Sequence, residues 1–216
     1  MNGDIFLKEI LTMIQIISYR DAIIFLKEYH YLEKNSSKSR SGINYGLFID
    51  NELVGVCIYH HVSSQYTNKS MLYNPSHKIV EMGRLCLDPK IKIKNILSSF
   101  VANTFKDLKI NHKEIDYVLT YADSDYHSGK IYQALSLSYH GTCKPQVQFY
   151  IKQEDGTYKK RHRERVKGVD GYYIKKSKKH RYIKCLKKGL KKNIKWKELS
   201  YCTIDTKNKI FNHTQS

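Results

Sequence analysis

The chain has 216 residues, 41% of them hydrophobic, and a formal net charge of +18. That length can bury one substantial core, and the apolar fraction is too high for a disordered polyelectrolyte. No apolar run approaches the ~20 residues that cross a bilayer, and the first ten residues, MNGDIFLKEI, do not have the pattern of a signal peptide.

In chain order, Met13–Ser18 reads as a short strand and Arg20–Tyr31 as a helix capped by Ser18 or Asp21. A Ser/Lys/Asn-rich loop over 33–44 precedes Tyr45–Ile49 and Leu53–Tyr59, and the intervening Asp50-Asn51-Glu52 marks a hairpin. After a polar loop over 63–77, Lys78–Leu87 reads as a strand stopped by Asp88-Pro89. Asn95–Leu108 places Ile96, Leu97, Phe100, Val101, Phe105 and Leu108 at helical spacing. A strand Asp116–Ala122, a helix Lys130–Ser138 and a strand Gln146–Lys152 follow. This order predicts a mixed α/β layer, about six strands with helices packed on them. Within it, Lys78–Leu87, the helix from Asn95 and Asp116–Ala122 form a crossover between parallel neighbours.

Gly156 opens the basic segment. Between Tyr158 and Lys197 stand eighteen Lys/Arg against two acids, Glu164 and Asp170, so the remainder is close to neutral. Within it His180–Leu199 spaces Ile183, Leu186, Leu190 and Ile194 as on an amphipathic helix. The expected organisation is a globular domain over 1–155 and a basic C-terminal extension over 156–216. The five cysteines (Cys57, Cys86, Cys143, Cys185 and Cys202) include no CxxC pair. They argue for a reducing cytoplasm and against disulfides or a cysteine-rich zinc site.

Chemistry concentrates in three places. The segment YADSDYHSGKIYQA, Tyr121 to Ala134, carries a strand into a polar knot of Asp123, Ser124, Asp125, Tyr126, His127 and Ser128, then through Gly129 into a helix bearing Tyr132. Strand–turn–helix junctions are where open α/β sheets place their chemistry. In Lys78–Leu87, Glu81 and Arg84 are charges inside an otherwise apolar strand, so they need partners or water, or a place near the sheet surface. Strict alternation there puts Glu81, Gly83, Leu85 and Leu87 on one face. Glu81 would serve as a base or orienting carboxylate, and Arg84 would hold an anion. His30-Tyr31 forms a further polar–aromatic knot, and the pair His60-His61 is expected at a rim. If His30 and Tyr31 meet Asp123 and Tyr132, the set can transfer protons or ligate a metal such as iron.

The basic run reads as a nucleic-acid surface. Lys159, Lys160, Arg161, Arg163, Arg165, Lys175, Lys176, Lys178, Lys179 and Arg181 would neutralise phosphates, and Tyr172, Tyr173 and Tyr182 would stack on bases. Double-stranded DNA is the expected partner. No membrane or obligate protein partner is evident, and a homodimer is left open.

The His30-Tyr31 pair, the strand EMGRLCLDP from Glu81, the helix from Asn95 and YADS…G.IYQA resemble, in their order and spacing over about Ile14–Tyr150, the Mom family of phage DNA-modification proteins. The resemblance implies a GNAT-like fold, that of the N-acetyltransferases: a mixed, mostly antiparallel sheet flanked by helices, here the catalytic domain over 1–155. It implies transfer of a methylcarbamoyl group to N6 of adenine in DNA, inside the host cell, protecting that DNA from restriction. It places His30, Tyr31, Asp123 and Tyr132 at active-site or metal-ligand positions, with iron implied. Ordinary GNAT enzymes grip the donor's pyrophosphate on a glycine-rich loop. Here that loop, Pro89–Asn95, has no glycine, so Lys90, Lys92, Lys94 and Asn95 are the candidates for the donor, whose identity stays open between acetyl-CoA and another carrier. Two other functions remain: a GNAT N-acyltransferase acting on a protein or small-molecule amine, and a non-enzymatic DNA-binding protein.

Overall fold

The computed structural model describes residues 14–30, 40–62, 64, 66–126, 129–145, 147–161 and 171–201. Among them the chain runs β1 (Ile14–Ile16), α1 (Tyr19–Tyr29), β2 (Ile43–Ile49), β3 (Glu52–His61), α2 (Tyr66–Met71), β4 (Lys78–Leu87), α3 (Ile96–Asn111) and β5 (Ile115–Asp123). It continues through α4 (Lys130–Ala134), β6 (Ser138–Thr142), β7 (Val147–Lys152), β8 (Tyr158–Arg161), β9 (Tyr172–Lys175), β10 (Lys179–Cys185) and a 3-10 turn, Leu190–Asn193.

Seven strands form one sheet in the order β1-β2-β3-β4-β5-β10-β6. Its pairs are antiparallel except β4 with β5, the crossover expected across α3. α1 starts where Ser18 accepts the Asp21 N–H at 3.1 Å. α3 buries Ile96, Phe100, Val101, Phe105 and Leu108 at the predicted spacing. With α4 it closes the main core over Val80, Met82, Val118, Tyr132, Tyr139 and Tyr182. On the opposite face α1 covers Val56, Ile58 and Cys86, while Met71 and Leu72 cover Ile79, Tyr117, Leu119 and Ile183. Each fully buried aliphatic or phenyl side chain contributes roughly 1.5–3 kcal/mol.

The C-terminal third departs from expectation. Residues 180–199 are not an amphipathic helix: 179–185 form β10, inside the sheet between β5 and β6. The predicted helix over 130–138 ends at Ala134, because Ser136 adopts a left-handed φ of 53° and turns the chain into β6. The strand expected at 146–152 exists as β7, but as the centre of a separate antiparallel sheet, β8-β7-β9. The polar loop over 63–77 contains α2. The sheet therefore does not stop at residue 155. The basic residues divide among a three-stranded insert, running from β6 to β10, β10 itself, and the stretch after it that carries Lys187, Lys188, Lys191, Lys192, Lys195 and Lys197.

Asp116, at the start of β5, ties this region together. Its carboxylate accepts from His77 Nδ1 at 2.9 Å, the Lys78 N–H at 3.0 Å and Lys187 Nζ at 2.6 Å.

Candidate active site

The site forms where the sheet opens. β4 and β5 pair from Lys78↔Ile115 to Glu81↔Leu119, and the ladder ends there. The Thr120 hydroxyl then donates to the Met82 carbonyl at 3.0 Å, satisfying an acceptor that the opened ladder would leave unpaired. A bulge in β4 lies at the same level: its register with β3 steps from Tyr59↔Met82 to Ile58↔Arg84, leaving Gly83 as the extra residue. Gly83 is required because a Cβ there would lie 2.0 Å from His60 Nε2. His60 is itself buried at the centre of this packing, not at a rim, with Nδ1 2.8 Å from the His61 carbonyl oxygen.

The bulge corrects the strict alternation expected for β4. Met82 enters the main core, and Leu85 and Leu87 pack against that same core, while Cys86 faces α1. Leu85 and Leu87 thus share a face with Met82.

Two cavities meet at the opening. The smaller, 130 Å³, is lined by His30, Met82, Gly83, Arg84, Leu97, Ile131 and Tyr132, among others. The larger, 430 Å³, is lined by Glu81, Asp123, Ser64, Thr67 and Cys143, and by Lys144, Gln148, Lys176, Ser177 and Lys179 at and beyond the ends of the insert. Tyr121 lines both and forms the wall between them.

The predicted site residues therefore separate into two groups. His30, Arg84 and Tyr132 share the small cavity. Glu81 and Asp123 share the large one. Ser124 faces neither: its hydroxyl and its N–H both donate to the Lys178 carbonyl, at 2.9 and 3.0 Å, clamping the end of the insert to β5. Tyr31, His127 and Ser128 lie outside the described residues. Tyr132 is buried and packs against Tyr182, ring centroids 4.8 Å apart and planes tilted by 30°. Burial raises its pKa, so it is a neutral phenol at pH 7. Tyr121 is shifted the same way, first by burial and then by Cys143 and Glu81. Arg84 donates from Nη1 to the Gly83 carbonyl at 2.7 Å, while its buried Nε has no partner among the described residues. A buried donor left unpaired costs roughly 1–3 kcal/mol, so a ligand group reaching it would be well held. Asp123 accepts from the Asp125 N–H at 3.0 Å and from the Ser177 hydroxyl.

The other predicted positions also resolve. Lys90, Lys92 and Lys94 are solvent-facing because the intervening Ile91 and Ile93 anchor the loop on the core. Asn95, at a left-handed φ of 62°, begins α3 without a side-chain cap and lines an open groove toward α4. Lys159, Lys160, Arg161, Lys175, Lys176, Lys178 and Lys179 are exposed. Arg181 is not a free surface cation: its guanidinium lies over Trp196, 4.3 Å from the ring centroid. Tyr182 is a core residue rather than a base stacker. Arg163 and Arg165 lie outside the described residues.

The family model of the Mom protein family matches residues 11–203. The chain belongs to the Mom family. No curated protein matches it in sequence. Solved structures place this Mom-family chain in the GNAT fold. A polyamine N-acetyltransferase of Drosophila melanogaster superposes with a TM-score of 0.51 at 9% identity, covering 80% of this chain and 98% of that one. The same share of this chain is covered by a Bacillus subtilis acetyltransferase solved with CoA (TM-score 0.48, 13% identity, 97% of that chain). The Escherichia coli ribosomal-protein-S18-alanine N-acetyltransferase covers it equally (TM-score 0.46, 10% identity, 92% of that chain). At such identities the likeness is one of fold.

The iron set implied for the family is not assembled by the described residues. Among them no group of three His, Cys, Asp or Glu is placed to hold a metal ion, and Asp123 lies across the Tyr121 wall from His30 and Tyr132. No helix among them is long and apolar enough to cross a membrane.

Proposed function

We propose that this protein is a DNA-modifying transferase that places a methylcarbamoyl, acyl-type group on N6 of adenine and so shields DNA from restriction. The observation that carries the reading is the pair of cavities meeting at the splayed β4/β5 strands of a Mom-family chain. The acceptor base enters the large cavity after leaving the helical stack, since its N6 is out of reach inside a duplex. The donor's reactive carbon reaches it from the small cavity. First-turn N–H groups of α3, uncapped by a side chain, and the nearby Lys90, Lys92 and Lys94 would hold a phosphate-bearing donor such as a CoA thioester. Such a donor supplies an activated acyl carbon.

The residues divide the proton work. Adenine N6 attacks the acyl carbon and loses a proton to Glu81, directly or through one water. Tyr132, held neutral, donates a proton to the leaving group, and Arg84 Nε faces the negative charge that develops on the acyl oxygen. Exposed Lys175, Lys176, Lys178 and Lys179 hold the DNA backbone at the mouth.

The test is direct. The gene is expressed in a bacterial host, the genomic DNA is digested to nucleosides, and deoxyadenosine is examined by mass spectrometry. The expected product is an adduct of the methylcarbamoyl mass, absent with Glu81→Gln. Soluble, folded protein with no adduct on any base refutes the proposal.

A further inference from the structure

The insert β8-β7-β9 carries a feature that the transfer chemistry does not use. Strand pairing places Gln148 and Tyr150 of β7, Tyr172 and Ile174 of β9, and Tyr158 and Lys160 of β8 on one face. Tyr150 and Tyr172 are stacked, with centroids 5.8 Å apart and planes 17° apart. Tyr158, from the far outer strand, reaches across to meet Tyr172 edge-on at 4.9 Å. Three rings therefore converge over the central strand. Phe149 and Ile151 on the other face are buried, whereas Tyr158 and Tyr172 are 51% and 41% exposed. What solubility alone does not require is the convergence of three rings at one point of an exposed face.

That face runs into the large cavity. Gln148 lines the cavity, and its Oε1 accepts the Tyr150 hydroxyl at 3.1 Å. Lys152 and Lys160 stand beside the rings on that face, and Lys175 and Lys176 lead toward the mouth; all are exposed. Stacked phenols framed by lysines suit a strand with bare base faces and phosphates. They do not suit a duplex, whose base faces are covered. Tyr173, 62% exposed on the opposite face against Phe149 at 4.8 Å, stands apart from the three converging rings and is not part of the set.

We propose that the insert is a platform for an unpaired DNA strand, on which bases flanking the target stack on Tyr158 and Tyr172 while the target enters the cavity beside Gln148. This rests on the DNA-modification reading and names the form of DNA it acts on: single-stranded or locally opened.

The purified full-length protein is titrated against a fluorescent single-stranded oligonucleotide and a blunt duplex of the same length, at two salt concentrations. Tyr158→Ala and Tyr172→Ala should each weaken single-strand binding about tenfold. They should leave duplex binding and the salt slope unchanged, since stacking releases no counterions. Tyr158→Phe and Tyr172→Phe should bind like the wild type, because the ring remains. Lys152→Ala/Lys160→Ala should weaken both forms and flatten the salt slope. The platform is refuted if the alanine variants hold the single strand as tightly as the wild type, or lose duplex binding equally. The genomic adduct separates the two ideas: an adduct alongside unchanged binding by the Tyr→Ala variants overturns the platform alone, whereas no adduct from the wild type overturns the parent reading.

Discussion

Tyr132 sits at the meeting of fold and chemistry, so its two contributions must be pulled apart. The ring is buried in the main core and packs at a tilt against Tyr182, the hydroxyl is within reach of Thr120, and the residue lines the small cavity. Tyr132→Phe keeps the ring and removes one hydrogen-bonding group, costing about 0.5–1.5 kcal/mol. In a chain of this size that lowers Tm by about 1–6 °C. Tyr132→Ala removes the ring as well and should cost about 3–5 kcal/mol, enough to threaten folding. A proton donor to the leaving group contributes about 100- to 10,000-fold in rate. Tyr132→Phe should therefore accumulate the adenine adduct at least about 100-fold more slowly than wild type, at equal soluble protein and with Tm lowered by no more than about 6 °C. The assay is a time course of adduct per deoxyadenosine after induction, with thermal unfolding of the purified protein alongside. Wild-type accumulation by Tyr132→Phe would refute the donor role, because nothing else about the residue would have changed.

Glu81→Gln should abolish the adduct while leaving Tm within about 2 °C, checked by the same two measurements. Gly83→Ala drives a methyl into the His60 ring and should cost about 1–3 kcal/mol. His60→Ala in the same chain should relieve most of that clash, so denaturant melts of the two single and one double variant should be strongly non-additive. Asp116 is pushed up by burial but more strongly held down by Lys187, His77 and the Lys78 N–H, so its folded pKa lies below the unfolded value. Its contribution is therefore complete above about pH 4 and lost as pH falls through the folded pKa, and wild-type and Asp116→Asn stabilities should converge in acid.

Much of the amino-terminal two-thirds was legible because its elements have one buried face. α3 repeats its apolar residues at helical spacing, and the β2–β3 hairpin has the polar turn Asp50-Asn51-Glu52, whose first two residues adopt positive φ as the turn demands. β10 was illegible for the opposite reason. Tyr182 and Ile183 are adjacent, point to opposite faces and are both 1% exposed, so the strand has no alternation to read. The apolar residues that follow it, Leu186, Leu190 and Ile194, continue at four-residue intervals and imitate a helix. In the site, residue chemistry singled out His30, Glu81, Arg84, Asp123 and Tyr132. Their division between two cavities depends on a bulge and on long-range pairing. Gly83 inside a strand was the signal for the bulge. Nothing local to Tyr121 marks it as the wall.

The placement of the insert explains why so much charge can be carried without disturbing the core. β6 ends at Thr142 and β10 begins at Lys179, and these ends are neighbours: the Cys143 N–H donates to the Lys179 carbonyl at 2.8 Å. An excursion whose ends already touch leaves the core intact and adds little closure entropy. Because Lys179 pairs with Asp123, both ends emerge beside the end of β5, so the insert must stand over the large cavity. Two deletions then have opposite outcomes. Removing residues 156–216, harmless to a core complete at residue 155, takes β10 out of the middle of the sheet and strips Tyr182, Ile183 and Leu186 from two cores; the product should not fold. Replacing residues 144–177 with a short Asn-Gly hairpin turn keeps β10 in register and should retain a cooperative melt while losing DNA binding and the adduct. Circular dichroism and thermal unfolding of the two products decide it: a folded 1–155 fragment would mean that β10 is not part of the core.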